Sequence, residues 1–225
     1  MIDFSGTLFR LEEDESWYAD LVRPDGGRFA VHETAEIMRR MTAPVGRTVD
    51  LDEAGKHAWA HRDLDPALHR EAYLKVLLAS GVPDTEQATR LYERLIDPAE
   101  WEPYPDTGAA LELLAARDIP VAVVSNIAFD LRPAFAARGW DRLVRAFTLS
   151  YEVGAVKPEP AIFEAALKAL GAAPERALMV GDSAEADGGA TALGCAFAEV
   201  PPLPTAERPE ALLGALAAHG IAAPR

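Results

Sequence analysis

Polar and apolar positions change rhythm about halfway along the chain. AALELLAAR (109–117) has helical spacing and leads into IPVAVVSN (119–126), a Val-rich run bounded by Pro and Asn. Another helical segment precedes RAFTLS (145–150), and AIFEAALKALG (161–171) is helical and closes on glycine, a usual stop. ALMVGD (177–182), a stretch of small helical residues, CAFAEV (195–200) and the helical PEALLGALAAHG (209–220) complete the series. Continuous apolar runs separated by helices predict buried parallel strands with crossover helices, an α/β fold.

Residues 12–99 read differently. They hold Trp17, Tyr18, His57, His61 and His69, with helical stretches such as HREAYLKVLLAS (69–80) and EQATRLYERLI (86–96) and no strand pattern. This predicts a helical insertion between the first strand and the rest of the sheet, so that the core comprises 1–11 and 100–225. WEPYPDTG (101–108), dense in Pro and turn formers, is the expected return linker. The start is short. Met1 and Ile2 alone precede Asp3, against a usual strand of about 5–6 residues. Either the first strand is truncated at its outer end or the natural chain begins earlier.

Composition narrows the function classes. The 225 residues suit one large domain, or a core carrying a smaller insertion. No apolar run approaches the ~20 residues that span a bilayer, and the N-terminus lacks the layout of a signal peptide. The expected location is the cytoplasm, with no membrane partner. A single cysteine, Cys195, leaves no disulfide framework and no multi-cysteine metal site, and reads as a small core residue. The net charge of −14 opposes binding to a nucleic-acid backbone. It does not oppose a small anionic substrate, because a few local cations or a metal invert the field in a cleft. Only Lys56, Lys75, Lys157 and Lys168 are lysines, so each placement is informative. No pattern specifies an oligomeric state.

Ligands of parallel α/β sheets gather at the carboxyl ends of the strands. Those ends hold Asp3 and Ser5, then Ser125 and Asn126, then Asp182, Ser183 and Asp187; Lys157 lies in the loop GAVKPEP. Each has an ordinary reading as a turn residue, a helix cap or a solvated charge. Together they form a set of three carboxylates, an ammonium, and hydroxyl and amide donors. Carboxylate oxygens hold Mg²⁺, lysine and backbone N–H groups hold a phosphoryl group, and a surplus carboxylate can act as nucleophile.

DFSGTL, VVSN, VKP and GDSxxxD, in this order, resemble the four motifs of the haloacid dehalogenase-like hydrolases. The resemblance covers nearly the whole chain, because the helical insertion sits where that family carries its cap domain. It implies a Rossmann-like three-layer core with an inserted α-helical cap, acting as a phosphatase or phosphotransferase on a small phosphorylated metabolite. Asp3 is then the nucleophile that carries an aspartyl-phosphate. Asp3, the backbone carbonyl of Ser5, Asp182 and Asp187 would hold Mg²⁺, Asp187 through water or by orienting Lys157. Ser125, the amide of Asn126 and the backbone after Asp3 as far as Thr7 would bind phosphoryl oxygens. Lys157 would balance charge between Asp3 and the phosphate.

Ser5 departs from the pattern. The family's phosphatases have a second aspartate there, which protonates the leaving oxygen and then activates water. A serine hydroxyl, with no useful pKa near neutrality, serves poorly as either. Three readings follow. The first is a Mg²⁺-dependent phosphatase, better on acidic leaving groups or helped by His32, His57 or His61. The second is different chemistry: phosphonate cleavage with Lys56 or Lys75 as a Schiff base, since the GDS motif with Asp187 argues against dehalogenation. The third is a binding module of the same fold with little turnover. Substrate choice would fall to the insertion, where His32, Arg39, Arg47, Lys56 and His61 are the polar candidates.

Overall fold

Aspartates punctuate the helical insertion. In the computed structural model, which describes residues 1–12, 15–23, 25–42 and 49–222, that stretch forms a compact unit, Glu13–Glu100. Its helices are α1 (Val31–Thr42), α2 (Glu53–His61), α3 (Pro66–Ala79) and α4 (Thr85–Leu95). Asp52 accepts from Gly55 N at 2.7 Å, Asp65 from Ala67 N at 2.7 Å and Asp84 from Gln87 N at 2.8 Å. Each satisfies a backbone donor that the first turn of a helix leaves unpaired. Pro66 takes the first position of α3, where its missing N–H costs nothing. That is why α3 starts ahead of the 69–80 expected from periodicity. α3 packs against both α2 and α4 and the unit buries Ala58, Ala72, Leu77 and Leu91. Its described residues contain one isolated antiparallel bridge, Val22–Arg28, and no longer strand. Arg47 lies outside the described residues.

The core of this unit contains a titratable group. His69 is 3% exposed and its Nδ1 lies 3.0 Å from the Tyr92 hydroxyl. Burial lowers its pKa from 6.5 to about 4, with the charge of Arg62 adding to the shift. The neutral ring is therefore favoured in the folded state, and the unfolded chain takes up the proton first. The contribution of His69 to stability is complete above about pH 6.5 and declines as pH falls toward 4. A shift of this size corresponds to roughly 3 kcal/mol. Unfolding titrations at pH 7 and pH 4 should show this loss for the wild type. His69→Gln should flatten the dependence; an unchanged slope would exclude His69 as its source.

The second unit comprises Met1–Glu12 and Trp101–Arg225. Its strands are β1 (Phe9–Leu11), β2 (Trp101–Pro103), β3 (Ala122–Ser125), β4 (Ala146–Leu149), β5 (Leu178–Gly181) and β6 (Ala196–Glu199). β3 pairs in parallel with β4, and β5 with β6. Residues 1–3 lie between the two pairs. Ile2 makes parallel bridges to both Val123 and Val180, with hydrogen bonds from Val124 N to Ile2 O and from Asp3 N to Val180 O, both 2.9 Å. The sheet order is therefore β6, β5, residues 1–3, β3, β4, which puts Asp3 at the carboxyl end of the central position.

Side chains that alternate across the sheet fill both faces. Helix α6 (Pro160–Leu170) packs on β3 and β4. There Ala122, Val124, Met179 and Cys195 join Ile162 and Phe163 in one buried cluster. Helices α5 (Thr107–Ala116) and α7 (Ala211–Ala218) pack on one another. A cavity of about 620 Å³, lined by residues such as Met1, Leu114 and Leu216, opens at the amino ends of the strands. The acidic residues lie at the opposite, carboxyl ends. Among the described residues no helix is long and apolar enough to cross a membrane.

The segment expected as a linker holds a strand. β2 pairs antiparallel with β1, Trp101 opposite Leu11 and Pro103 opposite Phe9. Packing overrides the turn-forming composition here: Trp101 is buried with its ring 5.0 Å from that of Phe4. Pro103 is tolerated at the strand end.

Candidate active site

The residues from Asp3 to Phe9 turn back sharply on Phe4. The Phe4 carbonyl accepts from Leu8 N at 3.0 Å and Phe9 N at 2.9 Å, and Gly6 N donates to Phe9 O at 2.8 Å. Gly6 adopts φ +76°, and a Cβ there would strike the Asp182 carboxylate. Glycine is needed on both counts. Ser5, on the same turn, is exposed. Thr7 is fully buried and its hydroxyl has no partner among the described residues.

Lys157 ties the strand ends together. Its Nζ lies 2.5 Å from Asp3 Oδ1 and 2.6 Å from Asp187 Oδ1, and all three residues are buried. The lysine is held by its own backbone: Lys157 N donates to Asn126 Oδ1 at 2.6 Å, and Asn126 Nδ2 donates to Lys157 O at 2.9 Å. The side-chain amide of Asn126 is thus occupied in positioning the lysine loop. Ser125, buried, ends β3 beside it. Ile127, which follows Asn126, is fixed by Ser150, whose hydroxyl accepts from Ile127 N at 2.8 Å.

Asp187 begins a 3₁₀ helix, Asp187–Leu193. Its second carboxylate oxygen accepts from Ser183 N at 3.0 Å. Gly181 allows this approach, since a Cβ there would overlap the Asp187 carboxylate. Carboxylate oxygens of Asp3, Asp182 and Asp187 lie within 4.8 Å of one another.

Three carboxylates face one ammonium in this pocket. Burial raises the Asp3 pKa to about 7; Lys157 opposes the shift, while Asp187 and Asp182 add to it. Burial and Asp187 also raise Asp182, against Lys157 and Arg208. Lys157 is pulled down by burial, but Asp3 and Asp187 outweigh this and hold the ammonium above its usual range. The surplus of buried negative charge, with all-oxygen donors, suits a hard divalent cation such as Mg²⁺.

The structure brings Asp3, Asp182, Asp187, Lys157, Asn126 and Ser125 to one end of one sheet. The polar candidates of the insertion belong to the helical unit. There Lys56 pairs with Glu53 at 2.7 Å and Lys75 with Asp52 at 2.7 Å. Arg39 bonds Glu36, His32 is exposed, and the His61 ring lies tilted 4.4 Å from that of His57. One residue was not visible in the sequence pattern. Arg208, 2% exposed, donates to the carbonyls of Gly6 at 2.8 Å and Thr7 at 2.5 Å.

A parallel α/β core with a lysine-bridged carboxylate cluster at its strand ends is a Rossmann-like core with its polar site where such sheets collect ligands. A family model described as haloacid dehalogenase-like hydrolase matches residues 1–193, and the chain belongs to that family. It is 36% identical over 111 residues to the phosphoserine phosphatase of Thermus thermophilus, covering 48% of this chain and 44% of that protein. It is 34% identical over 93 residues to the glyceraldehyde 3-phosphate phosphatase of Methanothermobacter thermautotrophicus, covering 38% of each. The chain spans less than half the length of these curated relatives. Among solved structures, the L-2-haloacid dehalogenase of Xanthobacter autotrophicus superposes with a TM-score of 0.60. That match has 22% identity and covers 98% of this chain and 82% of that one. At that identity the likeness concerns the fold alone.

Proposed function

We propose that this chain hydrolyses or transfers the phosphoryl group of a small phosphorylated metabolite through a phospho-aspartate on Asp3. The observation that carries this reading is the Lys157 ammonium held between Asp3 and Asp187 at the ends of the strands. The phosphatases among its relatives agree with it.

Lys157 takes one oxygen of Asp3, which orients the carboxylate and leaves the second oxygen for attack on phosphorus. An Asp3 O–P bond forms as the bond from phosphorus to the leaving oxygen breaks. Water then attacks phosphorus as the Asp3 O–P bond breaks, which returns the Asp3 carboxylate and releases phosphate while the proton of water passes to solvent. An acceptor hydroxyl in place of water gives its phosphate ester. Lys157, Ser125 and the main chain after Asp3, as far as Thr7, would receive the charge spread over the phosphoryl oxygens. Asp3, Asp182, Asp187 and the Ser5 carbonyl would hold Mg²⁺, which supplies further positive charge to those oxygens. We read the helical unit as the family's cap domain, and substrate choice as its part.

Ser5 offers no carboxyl to protonate the departing oxygen, so substrates whose leaving group needs no proton are favoured. These are aryl, enol or acyl phosphates. Nothing favours a cap-lysine imine: the carboxylates beside Lys56 and Lys75 raise both pKa values, opposite to the needs of a neutral amine nucleophile.

The test uses an activated aryl phosphate with Mg²⁺. Turnover should vanish with a chelator, and acid quenching should trap a phosphoryl label that Asp3→Asn removes. Binding of Mg²⁺ and phosphate without turnover or label would favour a binding module instead.

A further inference from the structure

We propose that Arg208 is a positioning residue for the phosphoryl-transfer centre, holding the Asp3 turn through the carbonyls of Gly6 and Thr7. This rests on the reading of Asp3 as nucleophile. Arg208 lies some 200 residues from its partners (sequence separations 202 and 201), yet both of its terminal nitrogens bond that turn. Its guanidinium carbon lies 3.2 Å from the Tyr104 ring centroid. Tyr104 is itself fixed, its hydroxyl donating to Leu203 O at 2.9 Å and its N to Leu8 O at 3.0 Å. The segment before Arg208 is tied to the same region. Pro202 O accepts from Arg10 at 2.7 Å, and Thr205 N donates to Glu12 at 2.7 Å.

Peptide planarity gives the clamp its consequence. Each carbonyl points opposite to the N–H of the next residue. Fixing the Gly6 and Thr7 carbonyls therefore fixes the directions of the Thr7 and Leu8 N–H groups, the latter closing the turn on Phe4 O. That turn carries Asp3 and the Ser5 carbonyl.

The choice of arginine also has a physical reason. A neutral side chain could tether two carbonyls without the cost of burying a charge. Among the described residues no carboxylate forms an ion pair with Arg208, and its Nε is unpartnered. Its charge acts instead on a pocket where three carboxylates face a single ammonium. A planar fork holds two acceptors in one fixed geometry, whereas the donors of a lysine ammonium rotate and leave the directions of its acceptors unfixed.

The experiment compares the full chain with Arg208→Ala and Arg208→Lys on an aryl phosphate with Mg²⁺, the folded fraction being measured in parallel. Misplacement of the turn should lower kcat of Arg208→Ala about 10²-fold while KM stays within about threefold. Added methylguanidinium should restore at least about tenfold of that loss, and an equal concentration of sodium chloride should not. Should Arg208→Ala fail to fold, Arg208→Lys decides: kcat at least about tenfold down in folded protein supports the clamp. Folded variants with wild-type kcat, or an unrescued loss that tracks the unfolded fraction, would overturn it. An inactive wild type would instead refute the phosphatase reading, and calorimetry with Mg²⁺ alone would then decide on Arg208. A dissociation constant raised about tenfold in the folded variant, and lowered again by methylguanidinium, supports positioning of the turn. An unchanged constant overturns it.

Discussion

Ser5→Asp should raise kcat on an alkyl phosphate by roughly 10²–10⁴-fold, the usual worth of positioned acid–base catalysis. An alkoxide is a poor leaving group unless it receives a proton, and the wild-type residue at this place carries a hydroxyl. Ser5 is exposed, so the new carboxylate avoids the burial that drives Asp3 to about 7. In the first step, phosphorylation of Asp3, the gain should be confined to poor leaving groups. With an activated aryl phosphate, whose phenolate departs without a proton, the burst of phenolate should differ by no more than a few-fold. Steady-state turnover should gain wherever hydrolysis of the phospho-aspartate, which the same carboxylate assists, is limiting. Burst and steady-state rates on a matched alkyl and aryl pair make the comparison. Equal alkyl rates would mean that the turn does not present residue 5 to the leaving oxygen, and would transfer that role to another group.

Lys157→Met should destabilise the protein by about 3–5 kcal/mol, since it leaves buried carboxylates without their cation while keeping much of the side-chain volume. For a chain of this length the midpoint of thermal unfolding should fall by on the order of 10 °C. Phosphatase activity should disappear with it. The sign of the pH dependence follows from the raised pKa values. Asp3 takes up a proton in the fold below about 7, and loss of Lys157, which opposes that rise, moves it higher still. The penalty should therefore be smallest in acid and grow as pH rises through and beyond neutrality. On its own, the Lys157 contribution is fully present below the ordinary lysine pKa and fades only as pH rises through its still higher folded value. Adding Asp3→Asn should recover part of the lost stability, because one of the stranded charges is removed. A loss below about 1 kcal/mol would place this lysine among the weak, solvent-screened ion pairs.

Asp3, Asp182 and Asp187 could be picked out of the chain because parallel sheets collect chemistry at and just past strand ends, and strand ends show in the apolar pattern. Lys157, in a loop, stood out by the scarcity of lysines and by its motif. Arg208 could not. It sits in PTAERPEA, a polar, Pro-containing segment that reads as surface. Its burial arises only when the turn after Asp3, Tyr104 and the C-terminal segment come together. The same holds for Asn126: its sequence position marks a strand end, but only the approach of the lysine loop spends its side chain on Lys157. β2 was hidden for a different reason. Turn-forming residues argue against a strand by local preference, whereas burial of Trp101 on Phe4 decides for one.

By itself, then, the sequence determined the alternation of strands and helices, the helical insertion and the kinds of side chain available for chemistry. These depend on local periodicity and on residue type, which act over a few positions. The tertiary structure decided which carboxylates share Lys157, how far burial moves the pKa of Asp3, and that a distant arginine grips the turn beside it. Those are properties of groups brought together across the chain, where low dielectric and fixed geometry set the energies.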